Sequence, residues 1–103
     1  MIKTFKGIQL NEDSRVYVET GSNTIGTVQF VPRTTASTVV FTIKCSNSLD
    51  AGWSNVTASP TTISSSSPMT VPSIDLGFAY LAAEVTTKNG SAANGDIIFC
   101  LKE

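Results

Sequence analysis

Apolar and polar residues alternate along much of this chain, and helical periodicity is nearly absent. The clearest alternation runs from 38 to 46, with one face made of Val39, Phe41, Ile43 and Cys45. A period of two is that of a strand with one buried face. Less regular patterns predict further strands over 2–10, 15–19, 24–31, 80–87 and 96–101.

Turn-forming residues interrupt these patterns about every ten residues, which is typical of sandwiches and barrels. We expect breaks at 11–14, 20–23, 31–33, 46–52, 59–60, 64–68 and 88–95. The pair Asn89-Gly90 in the last break is also a hairpin signal, but the longer gap to Gly95 argues against a plain two-residue turn. The 103 residues are the length of one domain. The prediction is an all-β fold: one small antiparallel β-sandwich over 1–103, with seven or eight short strands.

Charge is sparse and scattered. Charged residues make up 15% of the chain, below the usual share of about 25%, and the net charge is −1. Nucleic-acid binding and polybasic membrane binding both need clustered positive charge. We therefore expect neither nucleic acid nor a membrane as a partner.

The first ten residues contain no apolar stretch like the core of a signal peptide. No segment approaches the ~20 apolar residues of a transmembrane helix. We expect the chain to be made in a cytoplasm and to leave it only inside an assembly.

The chain has two cysteines, Cys45 and Cys100. The first shares a face with the bulky residues of its strand, whereas Cys100 lies opposite Ile97, Phe99 and Leu101. Sulfurs on different sides of their strands do not meet the geometry of a disulfide. The prediction is two buried free thiols.

Residues for catalysis are scarce. The chain has no histidine, so a Ser-His-Asp or Cys-His arrangement cannot be assembled. The carboxylates lie mostly at predicted turns, and Glu84 faces outward from its strand. There is no glycine-rich phosphate loop and no set of four zinc ligands. We expect a protein that is not an enzyme and holds neither metal nor cofactor.

Aromatic residues are the remaining candidates for a site. Trp53 follows a turn-rich run, and two interpretations stay open: it stacks on a sugar or anchors a partner, or it folds back and caps one end of the core. Tyr17 and Tyr80 lie on the outward faces of their strands. Both are candidates for a subunit interface.

From Val39 onward the chain resembles a family of small structural domains of tailed phages. The resemblance rests on the strand 41–47, the run Ala51-Gly52-Trp53-Ser54, the tyrosine-containing strand 79–87 and the final segment 94–99. It implies a β-sandwich located in the virion and a homo-oligomer. Its partners would be the major capsid protein or other virion proteins.

The function implied is a capsid decoration (cement) protein that binds the assembled shell. The alternative is a glycan- or receptor-binding module of a tail or fibre, because similar loops and strands occur in carbohydrate-binding sandwiches. A host-encoded carbohydrate-binding domain is a third class, and the missing signal peptide counts against it.

Replacing Phe41 by alanine should unfold or severely weaken the domain, since Phe41 is central on the most regular strand. Losing a buried phenylalanine costs about 3–5 kcal/mol, against a total stability of about 5–15 kcal/mol. Thermal and chemical unfolding of the wild type and the variant measure the difference. A variant that melts within a few degrees of wild type would show that this face is not the core.

Overall fold

The computed structural model describes residues 1–9, 15–34, 39–56, 61–63, 69–88 and 94–103. These ranges form strands and turns without a helix, and thus contain no helix able to span a bilayer. The strands are β1 (Ile2–Gln9), β2 (Arg15–Glu19), β3 (Ile25–Thr34), β4 (Val39–Ser46), β5 (Ser54–Asn55), β6 (Thr61–Ile63), β7 (Met69–Asp75), β8 (Tyr80–Lys88) and β9 (Asn94–Lys102).

Two antiparallel sheets pack face to face, which confirms the predicted β-sandwich. One sheet has four strands in the order β1-β9-β3-β7. The other has five strands, in the order β2-β8-β4-β5, and β6 pairs with β4 as well. Strand β8 lies between β2 and β4 in the five-stranded sheet, and β9 lies between β1 and β3 in the four-stranded sheet.

The core is the space between the two inner faces. Phe30 of β3 and Phe41 of β4 meet across it with ring centroids 3.8 Å apart. Phe41 is 1% exposed, so it is buried as the alternation predicts. The buried cluster contains Val18, Val28, Phe30, Phe41, Ile43, Ile74, Leu76, Leu81, Ala83, Val85, Ile97, Phe99 and Leu101.

The strands with strict alternation were predicted well. Strand β2 has the predicted bounds, with Val18 buried and Arg15, Tyr17 and Glu19 exposed. The predicted count of seven or eight strands is too low, since the described residues form nine. Strands β5 and β6 have two and three residues, too few to show a period.

Proline accounts for two further corrections. Strand β7 was missed because Pro72 interrupts its pattern. Between the pairs Gly26–Ile74 and Val28–Val71, one residue of β3 lies opposite two of β7, so an extra residue bulges at the sheet edge. The break predicted at 31–33 is wrong, because β3 continues to Thr34. Pairing of β3 with β7 ends at Phe30, so Pro32 needs no amide hydrogen on that side.

The hairpin signal at Asn89-Gly90 does not correspond to a hairpin between β8 and β9. Strand β8 pairs with β2 and β4, whereas β9 pairs with β1 and β3. The chain after β8 therefore crosses from one sheet to the other. The residues of that pair lie outside the described ranges, as do the breaks predicted at 11–14, 59–60 and 64–68.

Bulges in both neighbours of β9 direct donors to Asp96. The bulge in β1 contains Gly7, whose φ of 62° favours glycine and whose N–H donates to Asp96 Oδ1 at 2.9 Å. The bulge in β3 contains Arg33, whose Nε and Nη2 donate to the two carboxylate oxygens at 2.8 and 2.9 Å. Hydrogen bonds from Arg33 first, and then from Gly7, lower the pKa of Asp96 to about 2.

Both cysteines are free, as predicted, but neither is fully buried. Burial still raises the pKa of the Cys45 thiol. Cys100 lies on the outer side of the four-stranded sheet, where its neighbours across the ladder are Ile2 and Thr27. The two thiols stay apart because Cys45 and Cys100 lie in different sheets and Cys100 is on the outer side of its own.

Replacing Gly26 by alanine should destabilise the fold by about 1–2 kcal/mol. A Cβ at Gly26 would lie 2.7 Å from Leu101 Cδ2 and 3.3 Å from Leu76 Cδ1. Leu101 is fully buried, so its methyl group has little room to move. Overpacking of this kind costs about 1–3 kcal/mol, partly offset by the lower chain entropy of alanine.

The matched control is Gly77→Ala, because nothing lies within 4 Å of a Cβ at that position. Thermal or urea unfolding should place the control within about 0.5 kcal/mol of wild type. Equal stability of the two variants would contradict the close approach at Gly26.

Candidate functional site

Tyr17 and Tyr80 come together on the outer face of the five-stranded sheet. In the register of β2 and β8, Tyr17 lies opposite Ala82 and Glu19 opposite Tyr80, so the tyrosines are diagonal neighbours. Their ring centroids are 6.1 Å apart and the planes are nearly perpendicular, at 84°. This edge-to-face arrangement is a favourable one for aromatic pairs.

The loop after β4 is organised around the buried hydroxyl of Ser46. Its Oγ lies 2.6 Å from the Ser48 carbonyl oxygen and 2.9 Å from that of Ala51, and it accepts a hydrogen bond from the Ser48 amide. Gly52 has a φ of 82°, which lets the chain turn back into β5. These contacts fix the position of the residue that follows, Trp53.

Trp53 is half-buried and packs on the aromatic side of the same sheet. Its Nε1 donates to the Leu49 carbonyl oxygen at 3.3 Å. The guanidinium carbon of Arg15 lies 4.8 Å from the centroid of the indole ring. This is the geometry of a cation–π contact. Trp53 therefore packs on Arg15 and its own loop, and not on the described core cluster.

Arg15 also belongs to a charge cluster around Glu84. Arg15 Nε donates to Glu84 Oε2 at 2.7 Å, and Arg15 Nη2 lies 2.6 Å from the same oxygen. Lys44 Nζ lies 3.1 Å from Glu84 Oε1. The glutamate side chain is 11% exposed, whereas those of Arg15 and Lys44 are 36% and 22% exposed. Both oxygens of a largely buried carboxylate are thus neutralised by cations that reach solvent.

The charge cluster decides the protonation state of Glu84. Burial raises the pKa of its carboxyl group, but hydrogen bonds from Arg15 and Lys44, helped by their charge, outweigh burial and leave the pKa lowered. The carboxylate stays ionised and its oxygens are occupied. Such a group holds neighbouring side chains in place and is poorly suited to donating or accepting a proton in a reaction.

The three predicted contact residues therefore lie on one surface, which we call the aromatic face: Tyr17, Trp53 and Tyr80, with Arg15, Lys44 and Glu84. The charge cluster was not predicted from the sequence. The outward direction of Lys44 and Glu84 follows from alternation. Their contact depends on the pairing of β2 with β8 and of β8 with β4, which a local pattern does not specify.

An open pocket of about 300 Å³ adjoins the aromatic face beside Tyr80. Its remaining lining residues are Glu19, Thr20, Gly21, Phe78 and Ala79. The Thr20 hydroxyl donates to the Phe78 carbonyl oxygen. The Thr20 amide donates to the Ala79 carbonyl oxygen at 2.9 Å. These bonds fix the two loops that form the pocket.

The outer face of the four-stranded sheet has a different character. A shallow pocket of about 200 Å³ lies there between Ile25, Gly26, Thr27, Cys100 and Lys102. Ile25 is 39% exposed and Ile2 is 71% exposed. Within the described part of the chain, no three side chains of Cys, Asp or Glu gather as a metal site would require.

Comparisons of the chain with protein-family models, with curated proteins and with solved structures return no match. The resemblance to phage structural domains therefore stays a prediction from the sequence.

Replacing Glu84 by glutamine should destabilise the domain by about 1–2 kcal/mol at neutral pH, because two charge-assisted hydrogen bonds are weakened. The loss stays this small because Arg15 and Lys44 can turn to solvent in the variant. The folded-state pKa of Glu84 lies below its unfolded value of about 4.3. The ionised Glu84 carboxylate therefore stabilises the wild type above about pH 4.3, and this stabilisation is lost as the pH falls further.

Urea unfolding of both proteins across the acidic range measures the effect. The difference between wild type and Glu84→Gln should be largest at neutral pH and shrink as the pH falls below about 4. The control is Asp75→Asn, an exposed acid on the other sheet. A difference that stays constant with pH would show that Glu84 is not held ionised by its neighbours.

Proposed function

We propose that this domain is a non-enzymatic structural protein of a tailed-phage virion, a capsid decoration protein that docks on the assembled shell through its aromatic face. The observation that carries the proposal is the gathering of Tyr17, Tyr80, Trp53 and Arg15 on one surface. Tyrosine, tryptophan and arginine are the residues that dominate binding energy at protein interfaces.

Pre-organisation supports this assignment. The Trp53 ring is held by Arg15 and by its bond to Leu49, and Arg15 is held by Glu84. Side chains that are fixed before binding lose little conformational entropy on docking. The charge of Glu84 is already neutralised within the domain, so contact with a partner does not require a bare carboxylate to be desolvated.

A non-catalytic role is supported by the chemistry of the acids and by the composition. The chain has no histidine. The carboxylates of Glu84 and Asp96, the two acids buried among the described residues, are both bound by arginine. Neither is left free to act as a general acid or base.

Decoration would work by repetition. A capsid offers many identical sites on a symmetric lattice, and each site receives one small domain. A modest contact at each site, repeated across neighbouring shell subunits, holds the subunits together and raises the effective affinity if the domain is itself oligomeric.

The glycan-binding alternative fits the aromatic face less well. Sugars stack on the open face of an aromatic ring. One face of Trp53 is occupied by Arg15, and the tyrosine rings are perpendicular to each other instead of forming a flat platform. The indole N–H is already used by Leu49.

The decisive experiment is co-sedimentation with expanded capsids built from the major capsid protein encoded alongside this chain. Wild type should bind and should raise the temperature at which the capsids fall apart. Tyr17→Ala should weaken binding by about tenfold or more, the effect of losing a side chain that dominates an interface. A glycan array should stay blank.

Ile25→Ala is the matched control. Ile25 is 39% exposed and Tyr17 is 44% exposed, but Ile25 lies on the opposite sheet, so its variant should bind like wild type. Loss of binding in Ile25→Ala with none in Tyr17→Ala would assign docking to the other face. Stoichiometric binding of a defined glycan, abolished by Trp53→Ala and without capsid affinity, would establish the tail or fibre module instead.

A further inference from the structure

Strand β2 forms one edge of the five-stranded sheet. Among the described strands its only neighbour is β8, with which all five residues from Arg15 to Glu19 pair. About half of the backbone N–H and C=O groups of β2 point away from β8. No described strand pairs with them. An edge of this kind is a template for another strand.

The other edges carry features that block strand addition. Strand β1 has Lys3, Lys6 and the bulge at Gly7. Strand β7 has Pro72 and a bulge. Strands β5 and β6 have two and three residues. Lysines, proline, bulges and shortness are the usual protections of a sheet edge. Strand β2 has no lysine, proline or bulge, and its two charged residues, Arg15 and Glu19, lie at its ends.

The sequence of β2 is complementary to itself. It runs Arg15-Val16-Tyr17-Val18-Glu19, with opposite charges at its ends and uncharged residues between. If two copies pair antiparallel about Tyr17, Arg15 lies opposite Glu19 of the second copy at both ends. A parallel arrangement, in contrast, would bring equal charges together. Opposite charges in directly facing positions favour the antiparallel register.

We propose that β2 is a self-association interface, where two copies of this chain pair antiparallel about a two-fold axis at Tyr17. The interface is isologous, as in most homodimers, because the same five residues contribute on both sides. The five-stranded sheets of the two copies join into one continuous sheet. The proposal is independent of the proposed function, since it requires no capsid.

The exposed side chains fit such a dimer. Tyr17 is 44% exposed and would lie beside Tyr17 of the second copy, and the Tyr17–Tyr80 pairs would then lie side by side across the axis. Arg15 is bonded to Glu84, and 36% of its side chain remains exposed. Five residues at roughly 3.4 Å each give a contact about 17 Å long. So short an interface predicts a reversible, concentration-dependent dimer.

Sedimentation velocity of the full chain tests the proposal over a range of about 1 μM to 1 mM. Wild type should shift from monomer to dimer within this range. Glu19→Lys should raise the dissociation constant by about tenfold, because two attractive contacts become repulsive. Asp75→Lys makes the same change of charge on an exposed acid of the other sheet and should stay within about twofold of wild type.

Hydrogen exchange of the wild-type protein gives a second measurement that needs no variant. Exchange in a peptide covering 15–19 should slow as protein concentration rises, whereas exchange in 41–46, inside the sheet, should not change. The proposal would be overturned if the protein is monomeric at every concentration or if Glu19→Lys leaves the dissociation constant unchanged. It would also be overturned if hydrogen exchange in β2 does not depend on protein concentration.

Discussion

The packing of Phe30 on Phe41 is the interaction on which the rest of the domain depends, because it joins the two sheets at the centre of the core. Each sheet must present one apolar face to the other, and this fixes which side chains point outward. The close approach of Gly26 to Leu101 shows how little space the core leaves. The aromatic face is the outer side of the five-stranded sheet, and the inner side of the same sheet packs in the core.

Alternation made most of the fold predictable from the sequence. Where it is strict, as in 15–19 and 38–46, the strands lie within a residue of the predicted bounds. Prediction failed where another constraint replaced alternation: Pro72 sits at a bulge on an edge strand, and Pro32 lies past the last pairing with β7. The partners of Asp96 were not predictable either, since two bulges on different strands bring Gly7 and Arg33 to it.

The candidate site was predictable in part. The outward direction of Tyr17 and Tyr80 followed from the phase of their strands. Their contact with each other, and the contact of Arg15 with Trp53, depend on how distant strands are ordered in the sheet. The position of Trp53 depends further on the preceding loop, in which the Ser46 hydroxyl contacts backbone carbonyl oxygens. The alternation of polar and apolar residues gives no sign of these contacts. A local sequence pattern predicts on which face of a strand a side chain lies. The pairing of distant strands decides which other side chains it contacts.

The order of strands along the chain has a consequence for biosynthesis. Strand β8 lies between β2 and β4, strand β9 lies between β1 and β3, and both follow in sequence the strands that they join. A nascent chain leaving the ribosome therefore exposes β1 to β4 without the partners that complete them, for the seconds that translation at roughly 5–20 residues per second requires. Few local contacts can form in that interval. Both sheets can therefore be completed only after β8 and β9 have been made, and until then β1 to β4 lack the strands that lie between them.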